Sequence, residues 1–227
     1  MTTAAAHQGL TPTQRRSLRI SLTWVAVIVV TIVALQIPLP SVVTIGPTWL
    51  VPFVELIGIP IVGILLLVGR NSRLATGTMT AFLVFLVLAS VMNALLLLFS
   101  LINGFTESGA ALLFAGFAVL AVNVLSFGVV YWWIDSGGPT ARLTGKTKTP
   151  DFLFPQQGMD SMPGWQPALL DYVFTAYTNI IAFSPTDTMP LSHRVKVLFA
   201  IQSSTALVTI VVTLSRAINL IPGATPS

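Results

Sequence analysis

The stretch ALLDYVFTAYTNIIAFSPTDTMPLSHR, Ala168–Arg194, joins a short apolar segment to a polar turn with two prolines and a basic end. Its apolar part, Ala168–Phe183, has 16 residues, whereas a helix needs about 20 to cross the hydrocarbon core of a bilayer. The segment is short for a membrane span and long enough for a re-entrant half-helix. Its path therefore decides how many times the chain crosses the membrane.

The composition of the whole chain indicates a membrane protein. Of its 227 residues, 54% are hydrophobic and only 8% are charged, whereas soluble chains carry about 25% charged residues. Helices satisfy their own backbone hydrogen bonds in lipid, so we expect an all-α membrane protein whose partner is the lipid bilayer. The net charge of +4 comes mainly from basic residues beside apolar segments and does not indicate nucleic-acid binding. The absence of cysteine excludes disulfides and thiolate metal sites.

Longer apolar segments lie on both sides of this stretch, and each is near the length of a membrane span. Four precede it and one follows it, at about 18–38, 50–69, 78–102, 110–134 and 193–221. The chain is thus expected to divide into an N-terminal cytoplasmic tail at 1–17, a four-helix transmembrane region at 18–134, a loop rich in proline and glycine at 135–167, a region with the short helix, the polar turn and the last span at 168–221, and a C-terminal tail at 222–227.

The basic residues predict the side of the membrane that each loop faces, because short cytoplasmic loops are enriched in lysine and arginine. Arg15, Arg16 and Arg19 place the N-terminus on the cytoplasmic side of a cell membrane. The apolar segment after them is too long for a secretory signal and has no small-residue cleavage site, so we expect it to be retained. If Ala168–Phe183 dips into the bilayer and returns, Arg194 stays cytoplasmic too. We therefore favour five spans plus one short re-entrant or interfacial helix, with six spans as the alternative.

Two charged residues lie inside apolar segments. Glu55 lies about five residues into the second segment, and Arg216 lies about five residues before the end of the last one. In the five-span arrangement both lie near the outer face, and charges within the membrane usually find partners. We expect an ion pair between them or a shared polar network. The alternative is that each side chain reaches the interface separately.

Two asparagines lie in the middle of apolar segments. Asn93 belongs to the third segment and Asn123 to the fourth. Polar side chains at such positions bond to neighbouring helices. We expect interhelical hydrogen bonds from both side chains, with a bond between the two asparagines as one arrangement.

The order of residues from Asp171 to Arg194 resembles the pore hairpin of tetrameric, potassium-channel-like cation channels. In that family a short pore helix with hydroxyl groups precedes the filter, and an Asp, a Pro and a basic residue follow it; here these are Asp187, Pro190 and Arg194. The resemblance covers roughly 171–219 and not the first four segments. No glycine precedes Asp187, so a potassium-selective filter is not expected. Hairpins of that family enter from outside, whereas the basic residues place this one inside. The stretch is also similar to the C-terminal segment of uncharacterised bacterial membrane proteins with an AFSPTD turn.

The resemblance implies a permeation path formed by the hairpin and by a polar face of the last helix. Spacings of three and four residues put the polar side chains of that helix on one face. Such a face lines an aqueous path or packs closely against another helix. A helix-ending turn at 184–187 explains the same hairpin without transport. The permeation candidates are Thr178, Asn179, Ser184, Thr186, Asp187, Gln202, Thr205, Thr209 and Thr213.

Enzyme chemistry finds little support in the sequence. His7 and His193 are the two histidines, no acidic or histidine cluster has metal-ligand spacing, and no glycine-rich phosphate loop follows a strand. We expect no enzyme activity, no cofactor and no metal. Two functions remain. The first is ion permeation by a homo-oligomer, since one hairpin cannot enclose a pore. The second is a non-transporting scaffold or accessory subunit of a membrane complex, whose partner binds the 135–167 loop.

Overall fold

The computed structural model describes residues 11–39, 47–68, 72–104, 109–147, 149–181 and 188–220, and these residues are almost entirely helical. The helices in these ranges are α1 (Pro12–Gln36), α2 (Leu50–Val68), α3 (Ser72–Ile102), α4 (Gly109–Ile134), α5 (Pro139–Thr144), α6 (Leu169–Ile181) and α7 (His193–Leu220). Short 3₁₀ helices cover Asp135–Gly137 and Pro155–Gly158, and the two-residue strands β1 (Phe152–Leu153) and β2 (Met189–Pro190) pair antiparallel. The all-helical fold expected from the composition is confirmed.

The first helix begins earlier than the apolar segment that it contains. The Oγ1 of Thr11 accepts a hydrogen bond from the N–H of Gln14, and the Oε1 of Gln14 accepts one from the N–H of Thr11. This reciprocal arrangement is a capping box. Pro12 occupies the first helical position, where its missing N–H leaves no bond unmade. The arginines at 15, 16 and 19 therefore lie on the first turns of α1.

The helices differ in whether they are long enough to cross a membrane. Four described stretches are long and apolar enough to cross: Pro12–Gln36, Leu74–Ile102, Gly109–Gly137 and His193–Ile218. The apolar stretch recognised in α2, Leu50–Ile61, is shorter. Helix α6 has 13 residues, or about 20 Å at a rise of roughly 1.5 Å per residue. A helix of that length is well short of a hydrocarbon core of about 30 Å.

Helix α4 is the centre of the bundle. It packs against α1, α3, α6 and α7, and most of its residues are buried. Lipid tails are as apolar as these side chains, so close packing holds the helices together. Two glycines of α4 permit this approach. A Cβ on Gly116 would lie 2.6 Å from Cγ2 of Thr213 in α7, and a Cβ on Gly128 would lie 2.8 Å from Cα of Val173 in α6.

The starts of α6 and α7 lie at the end of the bundle where α4 finishes. Tyr172, in the first turn of α6, donates its hydroxyl hydrogen to Oδ2 of Asp135 at 2.6 Å. Arg194, in the first turn of α7, donates from Nη2 to the carbonyl oxygen of Ile134 at 3.0 Å. The chain therefore leaves α4 and enters α7 at the same end of the bundle.

The expected loop at 135–167 has a defined structure in the described part. Its strand β1 pairs with β2, which directly precedes α7. Phe152 is fully buried and Phe154 is 3% exposed. The Phe152 ring lies 5.4 Å from the ring of Tyr131 in α4 and 5.7 Å from that of Tyr172 in α6, centroid to centroid. These aromatic contacts hold the loop against the end of the bundle.

Candidate functional site

Two buried aspartates lie next to each other just beyond the end of α4. Asp135 and Asp151 are each 2% exposed. The N–H of Asp151 donates to Oδ1 of Asp135 at 3.0 Å, and the N–H of Ser136 donates to Oδ2 of Asp151 at 3.2 Å. Ser136 has a φ of 56°, so the chain turns sharply there. Buried charges persist only when they are paired and hydrogen-bonded, and both carboxylates meet that condition.

Arg194 binds Asp151 through two hydrogen bonds. Its Nε donates to Oδ1 at 2.7 Å, and its Nη2 donates to Oδ2. This bidentate geometry suits the planar guanidinium group. Burial alone would raise the pKa of Asp151. The hydrogen bonds from Arg194 and Ser192, the charge of Arg194 and the N–H of Ser136 together lower that pKa below its ordinary value of 3.8. Asp151 is therefore ionised near neutral pH.

Arg142 completes the cluster from the other side. It donates from Nη1 to the carbonyl oxygen of Asp135 at 2.6 Å and from Nη2 to that of Trp132 at 2.8 Å. Its guanidinium carbon lies 5.4 Å from the ring centroid of Tyr172, within the range of a cation–π contact. Together with Arg194 it satisfies carbonyl groups at the end of α4, where a positive charge also complements the helix dipole.

We call Asp135, Ser136, Arg142, Asp151, Tyr172 and Arg194 the aspartate–arginine cluster. Its residues come from the end of α4, from α5, from the residue before β1 and from the first turns of α6 and α7. The two ion pairs among the described residues both belong to it. The cluster therefore fixes where the loop and the two following helices meet α4.

A second polar network lies deeper in the bundle and centres on Gln202 of α7. Tyr131 of α4 donates its hydroxyl hydrogen to Oε1 of Gln202 at 2.7 Å, and Asn179 of α6 donates from Nδ2 to the same oxygen at 2.9 Å. Gln202 donates from Nε2 to the carbonyl oxygen of Ala176 at 3.1 Å. All three polar side chains are at most 3% exposed. The network joins α4, α6 and α7 without contact with solvent.

Hydroxyl groups of α6 contact the chain where it returns towards α7. Thr175 lies 3.3 Å from Oγ1 of Thr188, hydroxyl to hydroxyl, and both residues are buried. Thr178 donates to the carbonyl oxygen of Thr175 at 3.1 Å. Thr188 directly precedes β2. The chain beyond α6 is therefore back beside the first half of that helix when it reaches Thr188.

The outward face of α6 is apolar, while its inward face carries most of its polar groups. Leu170, Phe174, Tyr177 and Ile181 are between 49% and 75% exposed, and their spacings of three and four residues place them on one face. The opposite face carries the threonines, Asn179 and Tyr172, all buried. This is the reverse of a helix on the surface of a soluble protein and suits a helix that contacts lipid.

The permeation candidates fall into two groups. Ser184, Thr186 and Asp187 lie outside the described residues. Of the others, Thr205 is partly buried, and five are at most 9% exposed: Thr178, Asn179, Gln202, Thr209 and Thr213. Thr213 packs against Gly116 of α4. The candidates of α7 among these five, Gln202, Thr209 and Thr213, are therefore buried within the described protomer.

Glu55 has a different partner from the one expected. Its Oε1 accepts a hydrogen bond at 3.0 Å from Nε2 of Gln36, at the end of α1. Helix α2 packs chiefly against α1 and α3, and neither ion pair among the described residues involves Glu55 or Arg216. Arg216 lies beside Gly104 instead. The expectation of a direct ion pair is corrected: among the described side chains, Glu55 bonds to a neutral amide.

The expected bond between the two mid-span asparagines is not formed. Both Asn93 and Asn123 are buried, at 2% and 1% exposure. Neither amide atom of Asn123 has a hydrogen-bond partner among the described residues. Asn123 lies on α4, which four other helices surround, so mid-span position alone does not identify its neighbour.

Most of the aspartate–arginine cluster was not predicted from the sequence. Asp135, Arg142 and Asp151 belong to the 135–167 loop, which was expected only to bind a partner. A signal was present, because Asp135 directly follows an apolar run and a basic residue, Arg142, comes soon after it. Their pairing required the positions of five separate elements, which spacing along the chain does not give.

These observations define the class of the protein: an all-helical integral membrane protein with several apolar helices long enough to cross a bilayer. Within the described residues, no group of three or more histidine, cysteine, aspartate or glutamate side chains could hold a metal ion. The chain matches no protein-family model, no curated protein and no solved structure.

Proposed function

We propose that the chain is a five-span protein with a cytoplasmic N-terminus, in which α6 is the first half of a re-entrant hairpin that enters from the cytoplasmic side. The observation that supports this most directly is the contact between Arg194 and the carbonyl of Ile134, which puts the start of α7 beside the end of α4. An even number of crossings therefore separates α4 from α7. A helix of 13 residues that turns back satisfies this with no crossing.

The lipid-facing character of α6 supports the same arrangement. A short helix lying in the aqueous phase would expose polar residues, whereas α6 exposes Leu170, Phe174, Tyr177 and Ile181. Ile181, at its end, lines an apolar groove with residues 113–120 of α4 and 210–214 of α7. The end of α6 therefore lies beside the interior turns of α4 and α7, a helix length away from the aspartate–arginine cluster at its start.

The depth of this helix end suggests cation permeation as the function. The last carbonyl groups of a helix have no partner within the helix, and they carry a partial negative charge. Half-helices that end inside a membrane use such carbonyls to coordinate monovalent cations in transporters. In this proposal, the end of α6 stabilises a cation near the middle of the bilayer.

The buried polar face of α7 restricts where the path runs. Gln202 and Thr209 are buried and hydrogen-bonded within one protomer, so they do not line the path. It passes the end of α6 between protomers of a homo-oligomer. The exposed apolar face of α6 then contacts the neighbouring protomer.

Flux measurements on purified protein in liposomes test the permeation function. We expect monovalent cation flux that decreases strongly in Asp187→Asn, the sequence-predicted candidate beyond α6. Asp160→Asn changes an exposed aspartate of the loop and should leave the flux unchanged. Gln202→Leu should lower the stability of the protein without changing the flux per folded molecule. No flux with several cations and membrane potentials would refute permeation and leave the five-span arrangement untouched.

Thiol labelling tests the arrangement separately, because the natural chain has no cysteine. Single cysteines at Met159 and Thr186 should react with an impermeant reagent from the cytoplasmic side. A cysteine at Asn103, an exposed residue after α3, should react from the opposite side. If the cysteine at 186 reacts only from the side that labels the cysteine at 103, α6 crosses the membrane and six spans are present.

A second function, that of a scaffold or accessory subunit, is favoured by one feature of the loop. Met159 and Met162 are 46% and 45% exposed on a segment that aromatic contacts hold in place, and exposed methionines adapt to varied partners. A deletion of Pro150–Met162 would also remove Asp151 and disrupt the aspartate–arginine cluster, so a loss of binding in that variant would not identify the binding surface. The double variant Met159→Ser, Met162→Ser should abolish co-purification with a defined complex, whereas Asp160→Asn should preserve it.

A further inference from the structure

Glu55 is a carboxyl group inside the bundle with a neutral partner. It is 1% exposed, and Gln36, which donates to its Oε1, is 4% exposed. Its other oxygen, Oε2, is buried and has no hydrogen-bond partner among the described residues. Each ionised residue of the aspartate–arginine cluster, by contrast, has an oppositely charged neighbour.

Among the described side chains, no cation forms an ion pair with Glu55. Arg216 of α7 lies beside Gly104, after the end of α3, and does not pair with Glu55 either. The helices packed against α2 are chiefly α1 and α3. The arginines of α1 lie in its first turns, whereas Gln36 is its last residue. The charged residue in the sequence of α3, Arg73, belongs to its first turn. Glu55 is the one charged residue in the sequence of α2.

An ionised carboxylate in these surroundings would carry a large desolvation free energy. One amide hydrogen bond does not replace the hydration of a full negative charge, and a buried group of this kind takes up a proton instead. A protonated carboxyl is a neutral group, so it needs only hydrogen-bond partners for its polar atoms, and Gln36 supplies one of them. We propose that Glu55 is a proton-binding site: in the folded protein near neutral pH it carries a proton and is a carboxylic acid buried between α1 and α2.

This state has a chemical signature that is independent of the permeation proposal. A protonated carboxyl adds to a hydrophobic carbodiimide. Its proton moves to one nitrogen, and its oxygen bonds to the central carbon, which gives an O-acylisourea. Migration of the acyl group to nitrogen then gives a stable N-acylurea. No atom is lost and no oxidant is needed, so the protein gains the mass of one reagent molecule.

The test treats the full-length protein in liposomes with dicyclohexylcarbodiimide near neutral pH and locates adducts by mass spectrometry. We expect one adduct, on Glu55, that is absent from Glu55→Gln and diminishes as the pH is raised. Asp160 is an exposed control carboxylate that should react only with a water-soluble carbodiimide and an added amine. Gln36→Leu should retain the adduct. Gln36→Lys, which supplies a cation, should reduce it severalfold.

An infrared difference spectrum between the wild type and Glu55→Gln decides the matter without any reagent. A carbonyl band of a protonated carboxylic acid that disappears in the variant supports the proposal. If only carboxylate bands disappear, the proposal is wrong, and it is wrong whether or not the carbodiimide reacts. Labelling that persists in Glu55→Gln would likewise refute the assignment to this residue.

Discussion

Substitution of Arg194 should reduce the stability of the protein more than substitution of its partner Asp151. The Asp151 side chain is 3% exposed, while that of Arg194 is 56% exposed. Arg194→Gln leaves a buried carboxylate without its cation. Loss of one partner of a fully buried pair costs about 3–5 kcal/mol, and the exposure of Arg194 reduces this to about 2–3 kcal/mol. Asp151→Asn leaves a guanidinium that water can solvate and retains an oxygen for the N–H of Ser136, so it should cost about 1 kcal/mol.

The assay is reversible unfolding of detergent-solubilised protein by a denaturing surfactant, with helicity as the signal. The double variant Asp151→Asn, Arg194→Gln contains no buried charge at this position, so it should be at least as stable as Arg194→Gln alone. The corresponding substitution of an exposed charge, Asp160→Asn, should have no measurable effect. If Asp151→Asn proved as damaging as Arg194→Gln, or if the two effects simply added, the carboxylate would not be the buried partner and the reasoning would fail.

Three further predictions concern packing, the deeper polar network and acid. Gly128→Ala should destabilise the fold by about 1–3 kcal/mol because its methyl group meets the backbone of Val173. At Gly77 nothing lies within 4 Å of the added methyl group, so Gly77→Ala should stabilise α3 by up to about 1 kcal/mol. Thermal unfolding of the two variants measures the difference. Gln202→Leu should cost about 1–2 kcal/mol without altering the sidedness of thiol labelling. Because the pKa of Asp151 is lowered from 3.8 in the folded protein, its contribution is fully present above that pH and is lost as the pH falls below it, so wild type and Asp151→Asn should converge in unfolding temperature in acid. An unchanged difference between them at low pH would contradict the assignment.

The positions of the helices could be predicted from the sequence because the bilayer imposes its thickness on the apolar segments. The structure has helices over each of the six segments, including the short one at 168–183, where α6 covers Leu169–Ile181. Boundaries were less accurate. Hydropathy changes at Leu18, whereas α1 begins at Pro12, where the capping box of Thr11 and Gln14 supplies the missing hydrogen bonds.

The partners of individual polar residues could not be predicted, because they depend on which helices are neighbours. Glu55 was expected to meet Arg216 on the basis of similar depth, but the end of α1 supplies Gln36 at that position. The polar face of α7 was visible as a periodic pattern. Whether such a face lines water or packs against a helix depends on α4, whose glycines allow the close approach.

The inverted polarity of α6 has a consequence for how the protein assembles. At 13 residues, α6 is too short to enter the bilayer as an independent span. The inward amide of Asn179 would also lack its side-chain partner in lipid until Gln202 lies beside it. Gln202 belongs to α7, which is synthesised after α6. The bond between Asn179 and Gln202 therefore forms only when α6 and α7 lie side by side. The aspartate–arginine cluster contains the first turns of both helices and joins them to the end of α4.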